Sequence, residues 1–401
     1  IKEDGRNRIM QEKELKYIAE HYQTPCFIFD LEAVKERVKK MREIVGGAYH
    51  LCYSIKANPF LIPTMAEITD KLEVCSPGEL SICKALRVEP TKILYSGVNK
   101  TEVDVTDAME YGVIHYTAES LLHMDIVNRI AGKYQKKVEI LPRLNAGSQF
   151  GMSKEDLFSI YANEENYPNV IVKGIHYFAG TQRKKNDKQI KELDMLLELI
   201  KEIQTTFNRK VEQIEYGPGL SVPLFEGDDF SDTLKPLENI HAKLKELSEV
   251  VDLTIEIGRF YSTFCGTYLT RAMDCKSNEG VNYCIVDGGM NHLNYYGQMM
   301  GMKVPHIQHL HACNDRTEQS WCLCGSLCTT ADVLVRDVTL QGLHEGDYLA
   351  FNNCGAYSVT EGIHLFLSRT MPLILLRTAE NEYIVARQMQ ESYPINTIQN
   401  Y

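Results

Sequence analysis

From residue 48 to 260, short apolar runs rich in β-branched residues alternate with stretches whose apolar positions recur at helical spacing. The runs predict strands over 48–56, 72–76, 92–97, 113–118, 137–145, 170–178, 212–217 and 252–257. Between them the spacing predicts helices over 77–86, 102–111, 120–131 and 188–206. Eight strand–helix repeats match a (β/α)8 barrel in number and order; a doubly wound open sheet is the rival that also alternates. Residues 261–401 change rhythm, with short β-like runs at 283–287, 331–334, 348–351 and 373–376 between glycine-containing turns. That pattern predicts a mostly antiparallel β domain. The apolar run 25–30 precedes the first helix and falls outside the barrel count. The expected division is therefore a barrel over 31–260 and a discontinuous β domain, sandwich or barrel, from 1–30 and 261–401.

A chain of 401 residues, 44% hydrophobic and 24% charged, has ample material for two cores. Its net charge of −11 argues against nucleic acid or an anionic membrane as partner. No apolar run is long enough to span a bilayer, and Ile1–Arg6 has no hydrophobic signal region. The twelve cysteines are irregularly spaced and many sit in apolar runs, which suits a reducing cytoplasm better than a disulfide framework. Cys322, Cys324 and Cys328, and separately His306, His309 and His311, lack the paired spacing of structural zinc sites, so no metal is expected. The three histidines, with Arg316, are read as a solvated loop rather than a site entrance.

The chemistry-bearing residues collect at strand ends, where barrel active sites lie. Tyr49–Ile55 reads as a buried strand stopped by Asn58-Pro59, with Lys56 at its end. Burial there is expected to lower the lysine pKa and expose a neutral amine able to bond a carbonyl carbon. The plain alternative is a lysine that snorkels to solvent. Glu73, Arg143, His176, Gly217 and Glu256 fall at or near other strand ends. Tyr216-Gly217-Pro218-Gly219-Leu220 offers backbone N–H groups to a phosphate, although two glycines around a proline also make an ordinary turn.

Tyr53-Ser54-Ile55-Lys56-Ala57-Asn58-Pro59 resembles the cofactor-lysine motif of the fold type III pyridoxal-phosphate decarboxylases related to diaminopimelate and ornithine decarboxylases. The resemblance implies an alanine-racemase-like barrel, pyridoxal 5'-phosphate as cofactor, and Lys56 as the residue that carries it. Ile255-Glu256-Ile257-Gly258-Arg259 resembles the family's Glu-x-Gly-Arg, whose glutamate binds the pyridine nitrogen while Gly-Arg, here Gly258 and Arg259, helps hold the phosphate. The loop with Gly217 and Gly219 stands where the family has three glycines, and Pro218 removes one donor. Gly174–Gln182 resembles a segment that usually holds two histidines and a serine. Here His176 remains, Phe178 replaces the stacking histidine, and Thr181 stands at the phosphate-side hydroxyl.

Cys324–Asp332 resembles the segment supplying a catalytic cysteine. The family implies that Cys328 crosses a homodimer interface to protonate the α-carbon, and that Asp332 meets the substrate amine. Thr329 and Arg143 are further expected substrate contacts. Gly355-Ala356-Tyr357 resembles the motif whose tyrosine touches the cofactor.

Departures bear on the substrate. Diaminopimelate decarboxylases follow Asp-x-Gly-Met with an arginine that grips the distal carboxylate, whereas Asp287-Gly288-Gly289-Met290 leads into Asn291–Gln298 with no arginine. Their Cys-Glu-Ser-x-Asp becomes Cys328-Thr329-Thr330-Ala331-Asp332, without the glutamate. Losing both charges disfavours a free dicarboxylic diamine. The pattern is similar to biosynthetic branches acting on a glutamyl carrier protein in butirosin formation, or on a citryl-diaminopropionate conjugate in siderophore formation. The expected function is α-decarboxylation of an extended or carrier-linked L-amino-acid group. The alternatives are decarboxylation of free diaminopimelate, ornithine or lysine, an amino-acid racemase, and a non-catalytic cofactor-binding relative.

Overall fold

A computed structural model describes residues 9–295, 301–311, 315 and 317–399. Expectations for the N-terminal segment 1–8, for 296–298 and for Arg316 lie outside these residues. The chain divides into two units: residues 37–221 with 234–260, and residues 9–36 of the N-terminal part with 222–233 and 261–399 of the rest.

In the first unit, every predicted strand region contributes to one parallel sheet. Its order runs Val170–Val172, Val138–Pro142, His115–Ala118, Ile93–Tyr95, Lys71–Val74, His50–Ser54, Asp252–Ile257, Gln213–Gly217 and Gly174–Phe178. A parallel bridge from Arg143 to His176, with Leu144 N–H donating to the His176 carbonyl at 3.0 Å, brings the two ends together. The result is a nearly closed barrel, not the open sheet that was its rival.

One predicted strand, 170–178, is two. Val170–Val172 pairs with the fifth strand and Gly174–Phe178 with the seventh, and the switch occurs at Lys173. The Lys173 N–H donates to Ile140 on one side, while its carbonyl accepts from Glu212 and Gln213 on the other. A Cβ at Gly174 would run into the Gln213 carbonyl, so the change of partner requires glycine.

Helices begin where side chains satisfy orphaned N–H groups. Ser76 Oγ caps Pro77–Ala85, and Thr101 with Asp104 forms a capping box for Glu102–Tyr111. Gly112, at φ 104°, ends the latter helix. Among the described residues no helix is long and apolar enough to cross a membrane.

Among the described residues the second unit forms a nine-stranded, mostly antiparallel sheet. Cys26–Asp30, buried at every position, lies antiparallel to Gly266–Asn278 and parallel to Leu373–Arg377. Residues 222–233, within the range assigned to the barrel from sequence, cluster with this unit instead. Their bridge is Phe225 to Pro305, a pairing across 80 residues that local pattern cannot reveal.

His292 in this unit sets a pH limit. It is 2% exposed, with Nε2 at 2.9 Å from the Thr370 carbonyl and Nδ1 at 3.1 Å from the Tyr268 hydroxyl. Burial pushes its pKa down to about 3. An unfolded histidine binds a proton below about 6.5, whereas this folded one stays neutral until about 3. Stability is therefore lost as pH falls through that window, at about 1.4 kcal/mol per pH unit. Denaturant titrations across pH should give a shallower slope for His292→Gln; parallel wild-type and variant profiles would refute the assignment.

Candidate active site

Register sets the site before any side chain is considered. Glu73 pairs with Ser54 and Glu256 with Cys52, so two carboxylates flank the C-terminal end of the strand that leads to Lys56. That strand stops in a turn, Ile55–Ala57, and the Asn58 side chain then caps the next turn by accepting from Phe60 N–H at 3.1 Å.

Lys56 Nζ lies 2.7 Å from Glu73 Oε2, 3.4 Å from Cys75 Sγ and 4.0 Å from Glu256 Oε1. Glu256 Oε2 in turn sits 2.8 Å from His176 Nε2. Burial alone would raise the Glu73 pKa. The Lys56 charge, with hydrogen bonds from Cys75, Lys56 and Ser54, outweighs it and holds this carboxyl below its usual range. The desolvated lysine expected from sequence is not what forms: the Lys56 side chain keeps 40% of its exposure and is held by ion pairing. The physical reason is that the carboxylate it meets belongs to the neighbouring strand.

Around this centre, Arg143 is buried and donates to Glu119 Oε1 at 2.8 Å, while Gly151 N–H donates to Glu119 Oε2 at 2.7 Å. Its guanidinium carbon lies 4.9 Å from the Phe150 ring centroid and 5.9 Å from that of Phe178. Gly217 is covered by the Phe178 ring, which any Cβ there would strike. Gly219, at φ 61°, packs against the Gly180 carbonyl, and Arg183 N–H donates to the Gly219 carbonyl at 2.9 Å. Thr181 is exposed on the same loop, Gly258 is half-buried, and Arg259 is buried at the start of Arg259–Ser262.

Sequence reasoning missed Glu119 and Lys100. Lys100 is 4% exposed and donates to the Gly97 carbonyl at 2.6 Å and to Thr117 Oγ1 at 3.3 Å. Burial lowers its pKa to about 8. The available signal was a lysine just beyond an apolar strand, the same signal that marked Lys56.

The remaining expected residues lie in the β unit. Cys328 is exposed, and Thr329 Oγ1 accepts from Ala331 N–H at 3.3 Å. Asp332 is buried, with its two oxygens accepting from Met290 and Leu327 N–H at 2.8 Å each, so this carboxylate is built into its loop. Tyr357 adopts φ 67°, ψ −35°, a strained conformation for a bulky residue and one that clusters at functional sites.

The barrel residues suit a pyridoxal phosphate. An accessible amine stands beside buried carboxylates, and His176 Nδ1 is buried without a hydrogen-bond partner among the described residues. Gly219→Ala should weaken cofactor binding and cost about 2 kcal/mol or more, because both the backbone conformation and the Gly180 contact must give. Gly227→Ala, at φ 83° with open space around it, is the control. Equal effects in cofactor titration would contradict the role of the contact.

The profile of the pyridoxal-dependent decarboxylase family, pyridoxal binding domain, matches residues 31–263. The diaminopimelate decarboxylase of Aquifex aeolicus is 26% identical over 93% of this chain and 91% of its own length. The L-glutamyl-[BtrI acyl-carrier protein] decarboxylase of Niallia circulans is 23% identical over 94% of each. The crystal structure of diaminopimelate decarboxylase from M. jannaschii with L-lysine superposes with a TM-score of 0.80, at 23% identity, over 94% of this chain and 92% of that one.

Proposed function

The chain belongs to the pyridoxal-dependent decarboxylases, and from that premise we propose that it removes the α-carboxyl group from an L-amino-acid moiety borne on a larger molecule. The observation that carries the proposal is the amine of Lys56 set between Glu73 and Glu256, with Glu256 hydrogen-bonded to His176. Pyridoxal 5'-phosphate supplies the electron sink for the Cα–carboxylate bond as it breaks. In this reading Lys56 would carry the cofactor through its carbonyl carbon. Glu256, oriented by His176, would hold a proton on the pyridine nitrogen. Gly217, Gly219, Thr181, Gly258 and Arg259 would hold the phosphate, Phe178 would supply an aromatic face, and Tyr357 is proposed as a further cofactor contact. Borohydride reduction of the loaded protein should attach the cofactor to the peptide containing Lys56; attachment elsewhere would refute this assignment.

The substrate reading rests on missing charge. No arginine occurs over 291–298, and Thr329 stands where a glutamate would serve a free diamine. A masked or carrier-linked distal group does not need either clamp. The Niallia circulans relative acts on such a carrier-linked group by name. The second reading is decarboxylation of free diaminopimelate, which the names of several relatives favour. The protein is read as cytoplasmic, in keeping with cysteines that are all free among the described residues.

Cys328, exposed on its loop, is proposed to deliver the proton to Cα in the partner subunit of a homodimer. Lys56→Ala and Cys328→Ala proteins should each be inactive or impaired alone, and subunit exchange should restore part of the activity through one intact hybrid site. Confirmed exchange without recovery would contradict the shared site.

A further inference from the structure

A second cluster of ligating side chains lies within the β unit, made of residues that have no part in the site described above. Its strand Ile307–Leu310 runs antiparallel to Tyr348–Asn352, and His309 and His311 have the two-residue spacing that puts side chains on one face. Their ring centroids are 3.9 Å apart. His309 Nε2 lies 2.8 Å from Asp347 Oδ2; the aspartate side chain is 0% and the histidine side chain 7% exposed. Asp347 Oδ2 also accepts from His344 N–H at 3.0 Å, which fixes the carboxylate.

Among the described residues, two polar atoms in this cluster have no hydrogen-bond partner. His309 Nδ1 and His311 Nδ1 are both buried and make no hydrogen bond. Buried ring nitrogens are ordinarily paired, so two unsatisfied ones on touching rings call for a ligand. Each of His309, His311 and Asp347 offers a ligand atom within 4.8 Å of the other two.

We propose that His309, His311 and Asp347 form a binding site for a divalent transition-metal ion, with zinc as the natural occupant. Two imidazoles and a carboxylate are zinc, cobalt or nickel ligands; magnesium and calcium demand all-oxygen sets. Three protein ligands leave a fourth position for water. The ion ties Ile307–Leu310 to the turn that precedes Tyr348–Asn352, so its contribution is to the stability of this unit. The spacing in sequence concealed it because Asp347 stands 38 residues from His309.

The test uses the cofactor-loaded protein without a histidine tag, stripped with EDTA and titrated with cobalt(II) chloride, then with zinc chloride in competition. The proposal expects uptake of about one equivalent per chain, d–d absorption without a sulfur-to-cobalt band, and a zinc-dependent rise in melting temperature. His311→Ala and His309→Gln should each weaken cobalt binding by about 10–100-fold and abolish the zinc-dependent rise. With twelve cysteines in the chain, the absence of the sulfur band is what separates this site from thiols. A sulfur-to-cobalt band, no uptake by the wild-type protein, or unchanged uptake in a folded variant would overturn the proposal. If one variant fails to fold, the other and the wild-type spectrum still decide.

Discussion

Lys56→Ala protein is expected to lose decarboxylation by a factor on the order of 10⁴ or more. The amine is the group proposed to bond the cofactor, and it stands between two buried carboxylates from the strands on either side. Deletion has a second effect that must be separated from the first. Glu73 is 3% exposed, and removing its cation leaves a buried carboxylate unpaired at a cost of about 3 kcal/mol. Lys56→Arg separates the two, since it keeps a cation near Glu73 but cannot form the same bond with the cofactor. The arginine variant should be as inactive as the alanine variant while regaining most of the lost stability. Added small primary amines should rescue some turnover in Lys56→Ala, which a purely structural lysine would not permit.

The second large effect is expected at Glu256. Glu256→Gln keeps the shape of the side chain and a hydrogen-bonding partner for His176, 2.8 Å away, while removing the charge. If the carboxylate holds a proton on the cofactor ring as the carboxyl group leaves, kcat should fall roughly 10²–10³-fold with cofactor affinity much less affected. His176→Asn, which removes the ring that orients Glu256 but leaves its charge in place, should cost less. A Glu256→Gln enzyme within a few-fold of wild type would place the negative charge elsewhere, and Glu73 would be the candidate to test next.

The barrel was legible because its evidence is local. Apolar runs separated by helical spacing mark strands whatever they pair with, and residues at the C-terminal ends of parallel strands must share one rim. Lys56, His176 and Glu256 could therefore be grouped by order along the chain alone. What escaped depends on partners chosen at long range. Nothing around Lys173 announces that the sixth strand changes neighbours there; only the Gly174 requirement, visible once Gln213 is beside it, explains the break. Glu119 was overlooked because its meaning comes from Arg143, 24 residues on. The exposure of Lys56 escaped for the same reason: burial of the strand is local information, whereas the contact with Glu73 is register. Residues 222–233 read as a continuation of the barrel until Phe225 finds Pro305.

The most direct measurement is CO2 release by the cofactor-loaded protein from two groups of substrates compared side by side. One group is free diaminopimelate, lysine and ornithine; the other is the same kind of L-amino-acid head group with its distal end amidated or thioester-linked to a carrier. Run in D2O, the reaction reports protonation at Cα as well. CO2 is expected from the conjugated group at a kcat/KM at least about 10²-fold above any free diamine, with one deuterium at Cα of the amine product. Faster turnover of free diaminopimelate would contradict the substrate assignment, and conversion of either group without CO2 would contradict the decarboxylase itself.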